Sequence, residues 1–325
     1  MRLFNFYKLF FFIISPILFS GCPLSDDFEE GRFPLTPVNF ESINSEYDDY
    51  NSASPYELYN QFPYLFSSNR ESNGVEFNIE NFLVEFYYES STDKVYFNAS
   101  DYGFYYYDSV LVDINTSSNE FGPFLMYSRD FLYDFLFYAT DSSGDLDIYY
   151  TKHDAYAEFW DSPLPLTKIN SENNEAYPTF NRQNDEMYFC SDAEGVYDIY
   201  KVALSSASVL TWLETEDLPI WIKCDNLNSS YNDKCPYING NLMVFTSDRE
   251  GGFGGYDLYY SEYKDGSWQE PVNFGEEINT EYDEFRPIVI FANYYINDLM
   301  FFSSNRPGGL GGFDLYYVGI PKMIL

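Results

Sequence analysis

One short motif recurs five times along this chain of 325 residues, and it constrains the fold more than any other feature. In each copy Ile or Leu precedes an Asn, and an acidic residue follows five positions after that Asn. Such repetition indicates a chain built from repeated structural units that pack on one another. The acidic residues of the five copies are Asp49, Glu120, Glu175, Asp233 and Glu284.

The residues that follow each motif have the pattern of short β-strands. In the last copy a first apolar run follows Pro287, a second covers residues 299–304, and a third begins at Asp314. The runs are rich in Phe, Tyr and Val and are separated by Gly, Asn, Asp or Pro, which is typical of strands. Aromatic residues make up 22% of the chain, enough for a large core. Four short strands per repeat predict the blades of an all-β propeller.

The two ends of the chain predict how the ring of blades closes. The last repeat has no fourth strand, because the chain stops soon after its third apolar run. The missing piece, Pro-Val-Asn-Phe, occurs at residues 37–40 and again at residues 271–274, where it is the fourth strand of the preceding repeat. We therefore expect the N-terminal strand to complete the last blade, which removes exposed sheet edges.

The length of the first repeat leaves the number of blades open. Its motif and the next are 71 residues apart, whereas the following pair are 55 apart. Within the excess, residues 93–97 resemble the strand at residues 185–189. We predict five four-stranded blades with an enlarged first blade, and six blades are the alternative.

The repeat resembles a known family. Ser-Asn-Arg at residues 304–306, Gly-Gly-Phe-Asp-Leu-Tyr at 311–316 and Trp-x-x-Pro at 268–271 are similar to the WD-like β-propeller repeat of TolB-type proteins. The resemblance covers residue 37 to the C-terminus. It implies a propeller fold, and it implies the envelope-scaffold role of related propellers.

The N-terminus predicts export and lipid anchorage. Arg2 and Lys8 precede an apolar stretch at residues 9–19. The Gly21-Cys22 pair that follows resembles a bacterial lipoprotein cleavage site. The predicted segments are a signal peptide (1–21), an acidic tether (22–36) and the propeller (37–325). The acidic run at residues 25–30 resembles the surface-export signal of Bacteroidetes-type lipoproteins. We therefore expect a lipid on Cys22 and an outer-membrane, surface-exposed protein, with the inner leaflet as the alternative.

The net charge excludes one class of partner. The formal charge is −35, and such a field repels nucleic acid and anionic membranes. The expected contact with the membrane is therefore the lipid anchor alone, and no nucleic-acid partner is expected.

The five acidic residues are the candidate site. Because the first strand of a blade lines the central channel, we expect these carboxylates to ring one mouth of it, beside Arg70, Arg249 and Arg306. In one interpretation each carboxylate clasps its loop to a neighbouring backbone group or arginine. In the other, they bind Ca²⁺ or Mg²⁺, because five acids face only three arginines.

The cysteines allow two interpretations. Cys190 lies in an apolar strand and is expected to be a buried thiol. Cys224 and Cys235 flank a loop and either form a disulfide in an oxidising compartment or remain thiols. No cysteine spacing typical of zinc sites is present.

Motifs for catalysis are absent from the sequence. His153 is the only histidine, so a Ser-His-Asp triad has no support, and the candidate carboxylates belong to the repeat consensus. We predict a non-enzymatic propeller that needs no cofactor and binds a protein partner in the envelope. The alternative is a glycan-binding or glycoside-degrading surface lipoprotein.

Overall fold

A computed structural model of the chain describes residues 31–92, 94–101, 105–206 and 208–323. Five antiparallel sheets are arranged as the blades of a ring, and the innermost strand of each blade contacts the innermost strands of its neighbours. The chain first forms β1 (Val38–Asn39), which belongs to the last blade. Blade 1 then contains β2 (Asp49–Ala53), β3 (Gln61–Ser68), β4 (Asn78–Glu89) and β5 (Lys94–Ser100).

The remaining blades follow in chain order. Helix α1 (Tyr105–Ile114) leads to blade 2, with β6 (Glu120–Tyr127), β7 (Tyr133–Thr140), β8 (Asp147–Asp154) and β9 (Leu164–Pro165). Blade 3 has β10 (Glu175–Phe180), β11 (Glu186–Ser191), β12 (Asp198–Ala203), helix α2 (Val209–Glu214) and β13 (Ile222–Lys223). Blade 4 has β14 (Asp233–Asn239), β15 (Leu242–Ser247), β16 (Asp257–Lys264), β17 (Ser267–Trp268) and β18 (Val272–Asn273). Blade 5 has β19 (Glu284–Ile290), β20 (Asp298–Ser304) and β21 (Asp314–Ile320).

The N-terminal strand completes blade 5, which confirms the predicted closure. Strand β1 pairs antiparallel with β21, with Val38 opposite Tyr317. Phe40 then buries its ring between blade 5 and blade 1, with its centroid 5.8 Å from those of both Phe301 and Tyr64. Buried aromatic contacts of this kind join the first and last blades, so the ring has no open edge there.

The long first repeat is one enlarged blade, so the five-blade prediction is confirmed and the six-blade alternative is wrong. Strand β5, which contains residues 94–97, pairs along β4 as the outer strand of blade 1. Helix α1 fills the rest of the extra length and contacts β4. Leu111 and Ile114 of α1 are buried in the core that blades 1 and 2 share, so the helix adds packing without a further sheet.

Each inner strand contains a β-bulge two residues after its acidic residue. The five bulge residues have positive φ angles between 49° and 61°, and the register of the strand shifts at that point. A residue in the left-handed region of a bulge turns its side chain out of the regular pleat. Only glycine fits in blade 2, because a Cβ at Gly122 would lie 2.4 Å from the ring of Tyr177. The bulge residues are Asn51, Gly122, Tyr177, Cys235 and Arg286.

The segment just before β1 is docked on the propeller. Phe33 is fully buried, its backbone N–H donates to Asn297 Oδ1 at 2.8 Å, and its ring lies 4.7 Å from that of Tyr295. Residues 31–36 were predicted to be tether, and these contacts make them part of the propeller. Residues 1–30, which include Cys22 and the predicted signal peptide, lie outside the described residues. None of the helices among the described residues is long and apolar enough to cross a membrane.

Candidate functional site

The five acidic residues of the repeat lie at equivalent places, one at the start of each inner strand. All five are buried, with 0% of their surface exposed. The backbone N–H of each donates to a carbonyl of the preceding blade, as Asp49 does to Phe313 at 2.8 Å and Glu284 does to Tyr256 at 2.7 Å. The motif therefore joins neighbouring blades through its backbone.

The carboxylates themselves bind within their own blade. Each accepts from the backbone N–H and the hydroxyl of the Ser or Thr four residues earlier. In blade 5, Thr280 donates its backbone N–H to Glu284 Oε2 at 2.8 Å and its hydroxyl to Oε1 at 2.6 Å, and Ser304 adds a third bond at 3.0 Å. These bonds hold the loop against the end of the second strand, which is the geometry of a clasp.

The three predicted arginines belong to these clasps. Arg70, Arg249 and Arg306 pair with Asp49, Asp233 and Glu284 respectively, and each also donates to a backbone carbonyl of the loop. Each guanidinium also lies over aromatic rings of its own blade, 5.0 Å from the ring centroid in the case of Arg70 and Phe66. The three ion pairs are therefore largely shielded from solvent, and each is held in one geometry.

Blades 2 and 3 lack the arginine, but burial raises the pKa of a carboxyl group in blades with and without it, since the pKa of Glu284 is also raised although Arg306 opposes the shift. Burial raises the pKa of Glu120 to about 6, although hydrogen bonds from Thr116 and Thr140 oppose the shift. Burial also raises the pKa of Glu175. Without a nearby cation, a buried carboxyl group binds its proton more tightly than it does in water.

Glu120→Gln is expected to change how stability depends on pH. Because the folded-state pKa of Glu120 is raised, the native state is favoured when this group is protonated, and that contribution is lost as pH rises through about 6. The wild type should lose about 1 kcal/mol more than the variant between pH 5 and pH 8. Urea unfolding across this range measures the difference. The exposed Glu172→Gln is the control, and equal pH slopes for wild type and Glu120→Gln would contradict the argument.

The described residues contain no cluster of three or more His, Cys, Asp or Glu side chains that could hold a metal ion. The five carboxylates sit in five separate blades, and each is occupied by hydrogen-bond donors. The cation interpretation of the ring therefore gains no support from the geometry, since Ca²⁺ needs several oxygen ligands converging on one point.

Within the described part of the chain, Cys190, Cys224 and Cys235 are all free thiols, so the disulfide alternative is not the one that the structure shows. Cys235 is a bulge residue and packs with Cys190 in a buried cluster at the channel. Cys224 follows β13, an outer strand of blade 3, and packs against a different cluster. The two predicted partners therefore face different parts of the core.

The bulge residues fill the middle of the channel. The guanidinium of Arg286 is fully buried, lies 5.3 Å from the ring centroid of Tyr177 and donates to the carbonyls of Pro236 at 3.2 Å and Pro123 at 3.3 Å. Its Nε has no hydrogen-bond partner, and burial lowers the pKa of the group. Asn51, also buried, lies within 3.5 Å of the Tyr177 hydroxyl. This layer separates the end of the channel that carries the acidic motif from the other end.

At that other end, all five blades contribute to a pocket of about 900 Å³, which we call the mouth pocket. It is formed where the inner strands end and the hairpins to the second strands begin. Residues of blade 1 close one side, because Glu57 pairs with Phe291 of blade 5 in an isolated bridge. The aromatic lining residues are Tyr56, Tyr59, Phe62, Tyr127, Phe131, Phe180 and Phe291.

Charged residues of both signs reach the mouth pocket. Arg129 and Arg182 lie on the hairpins of blades 2 and 3, and both are exposed. Glu57 is the one carboxylate among the lining residues, and it is exposed. It lies beside Tyr59, whose pKa is raised by burial and by the nearby Glu57 charge.

Sequence reasoning missed the mouth pocket because its hairpins share no motif. The repeated motif forms the opposite end of the channel, where the acidic residue of every blade accepts the same hydrogen bonds from its loop. The lining hairpins differ in length, from the two residues between β14 and β15 to the seven between β2 and β3. Pro follows the bulge residue in four of the five blades, at residues 123, 178, 236 and 287. Because proline disrupts a regular strand, this pattern could have predicted the irregular inner strands.

No protein-family model matches the chain, and no curated protein sequence matches it. Solved structures do match. One is an α-L-arabinofuranosidase from Podospora anserina, determined with cellotriose, at 12% identity and a TM-score of 0.51, covering 91% of this chain and 98% of the other. Another is a thermostable family-43 glycoside hydrolase, at 12% identity and a TM-score of 0.53, covering 86% and 91%. At this identity the likeness shows the shared five-bladed fold.

These matches correct the family assignment. The resemblance to WD-like, TolB-type repeats is wrong, because the matching structures are glycoside hydrolase propellers. The prediction of a scaffold for an envelope protein drew on that resemblance, and the prediction of a non-enzymatic protein drew on the absence of catalytic motifs; both are wrong, because the matching structures are glycoside hydrolases. The alternative, a glycan-binding or glycoside-degrading protein, is the better supported.

Proposed function

We propose that this protein acts on glycans, which bind in the mouth pocket and are hydrolysed there. The observation that carries the proposal is the pocket itself, which draws on all five blades and has a volume of about 900 Å³. Ligand pockets typically measure about 300 to 1,000 Å³ and have apolar and aromatic walls with a few placed polar groups. The plugged channel gives this pocket a floor.

The rim of the mouth pocket carries side chains that can bind a sugar chain. Tyr59 is 55% exposed and Phe131 is 77% exposed, although both are large apolar side chains at the opening. Aromatic faces of this kind offer broad apolar contact, and Asn184 places an amide group at the opening for sugar hydroxyls. The solved propellers of this fold include an arabinofuranosidase, so glycosides are the first ligands to test.

Hydrolysis of the bound glycan assigns a role to Glu57. Cleavage of a glycosidic bond uses carboxyl groups to protonate the leaving oxygen and to activate water or attack the sugar. Glu57 is the one carboxylate among the lining residues, so it is the candidate acid or base. A second carboxylate is not part of the lining, and the water-activating group is therefore not assigned.

Glu57→Gln is expected to lower the rate of glycan hydrolysis by at least about 100-fold, because a positioned acid or base contributes that much or more. Release of reducing sugar from a panel of polysaccharides measures the rate, and calorimetry measures binding in parallel. Glu270→Gln, an exposed change on blade 4, is the matched control. Binding without hydrolysis would leave a glycan-binding protein, whereas neither binding nor hydrolysis would overturn the proposal.

We also propose that the protein is lipid-anchored at the outer membrane and faces the outside. Cys22→Ser should move the protein from the membrane pellet to the soluble fraction, because one acylated residue is its expected anchor. Protease accessibility on intact cells tests surface exposure. Equal membrane association of the wild type and Cys22→Ser would contradict the anchor.

A further inference from the structure

The arginines of this acidic chain are unevenly placed. The chain has a net charge of −35. Three arginines belong to the clasps, yet Arg129 and Arg182 both line the mouth pocket. No lysine lines it, so the positive charge at the opening comes from guanidinium groups alone.

Arg129 is held in place with most of its donors unused. Its Nη2 donates to the carbonyl of Gln183, so the side chain reaches from the hairpin of blade 2 to that of blade 3. A guanidinium has five N–H donors, and this bond uses one. The described residues offer no carboxylate partner to Arg129. The guanidinium group is therefore held by this one bond, and its other N–H groups remain available to an acceptor in the pocket.

Two carboxylates on the hairpins that carry Arg129 and Arg182 accept hydrogen bonds within their own turns. Asp130 accepts from the hydroxyl of Ser128 at 2.6 Å and from the backbone N–H of Leu132 at 3.2 Å, which lowers its pKa. Asp185 accepts from the amide of Asn181 at 2.7 Å. These acids stabilise the hairpins that carry the arginines, and neither is a lining residue, so Glu57 is the one carboxylate in the lining.

A third guanidinium lies under the floor. Tyr56 lines the pocket, and its ring packs 6.0 Å from Tyr237 and 6.1 Å from Phe124. Arg286 lies on the far side of this layer, where it donates to the carbonyls of Pro236 and Pro123. No carboxylate pairs with Arg286 among the described contacts, so a buried positive charge without an acidic partner lies behind this layer.

We infer that the mouth pocket takes an anionic glycan, one whose sugars carry a carboxylate or sulfate group, with Arg129 as its specificity-determining residue. This inference rests on the proposed function and names the substrate class. Guanidinium forks bind carboxylate and sulfate-like oxygens with two parallel hydrogen bonds, which neutral hydroxyls cannot match in strength. The acidic remainder of the protein does not prevent this, because its field is screened over about 8 Å at physiological salt.

The test compares matched pairs of oligosaccharides that differ only in charge. One pair is tetragalacturonate and its methyl ester, and the other is a sulfated galactan tetrasaccharide and its desulfated form, each titrated at 0.15 M NaCl. The charged member of a pair that binds should bind at least ten-fold more tightly. Comparing the two pairs shows whether carboxylate or sulfate is preferred.

Variants assign the preference to Arg129. Arg129→Gln should reduce the ten-fold preference to about two-fold or less, and Arg129→Lys should restore part of it, because lysine keeps the charge without the fork. Lys264→Gln removes one positive charge at the periphery of blade 4, where the side chain is 59% exposed, and should change nothing. Equal binding of neutral and charged members overturns this inference but leaves the proposed function standing. Absence of binding by both members of both pairs, together with no hit among polysaccharides, overturns both.

Discussion

Replacing Asp233 with alanine is expected to lower the free energy of unfolding by about 4 kcal/mol, because it removes one partner of a buried ion pair. Asp233 is fully buried and accepts from Ser229 and from the Nη2 of Arg249. Without it, the Arg249 guanidinium keeps its carbonyl bond to Leu227 but loses its compensating charge in a nearly dry site. Urea unfolding at pH 7 measures the loss.

The control for Asp233→Ala is Glu250→Ala, one residue beyond Arg249 and exposed to solvent. This change should stay within about 0.5 kcal/mol of the wild type. If Asp233→Ala lowers the free energy of unfolding by less than about 1 kcal/mol, the clasp is not a major source of stability. The double variant Asp233→Ala with Arg249→Met should recover part of the loss, because it no longer leaves a lone buried charge.

Phe40→Ala should destabilise the protein by about 4 kcal/mol, which is typical of removing a buried phenylalanine. The ring of Phe40 is 2% exposed and lies between blade 5 and blade 1. Its loss leaves a cavity at the junction that the two ends of the chain must close. Amide exchange should therefore accelerate first in β1 and β21, ahead of the other blades.

Phe253→Ala is the matched control for Phe40→Ala, because Phe253 is 47% exposed in a turn of blade 4. It should change the free energy of unfolding by less than about 1 kcal/mol. Uniform acceleration of exchange in all five blades of Phe40→Ala would contradict the view that the β1–β21 junction is the closure of the ring.

The repeated parts of this propeller were predictable because each copy obeys one local rule. Asn at the start of the motif pairs its side chain with the backbone of the preceding blade, as Asn279 does with Leu258 at 2.8 and 3.0 Å. The acidic residue then clasps its own loop. Such requirements recur in every blade, so five copies in register determine the strand order and the closure at residues 37–40.

The same rule explains why the family was assigned wrongly. Any propeller must join neighbouring blades, so residues that do so indicate the fold and not the family. The pocket depends instead on residues that differ between blades. Arg286, Tyr177 and Cys235 occupy one structural position in three blades, and no repeat pattern predicts which side chain fills the channel. The hairpin that carries Glu57 has the same seven-residue length as the one between β19 and β20, but residues 291–297 contain no acidic residue.

The docked segment at residues 31–36 limits how far the propeller would lie from a lipid on Cys22. Gly31 bridges to Tyr295 in the hairpin after β19, and the same hairpin contributes Phe291 to the mouth pocket. With a lipid on Cys22, nine residue steps separate the anchor from Gly31, a reach of at most about 30 Å. The mouth pocket would then open no farther from the lipid surface than about the diameter of the protein itself. A glycan bound in the pocket would then lie close to the membrane.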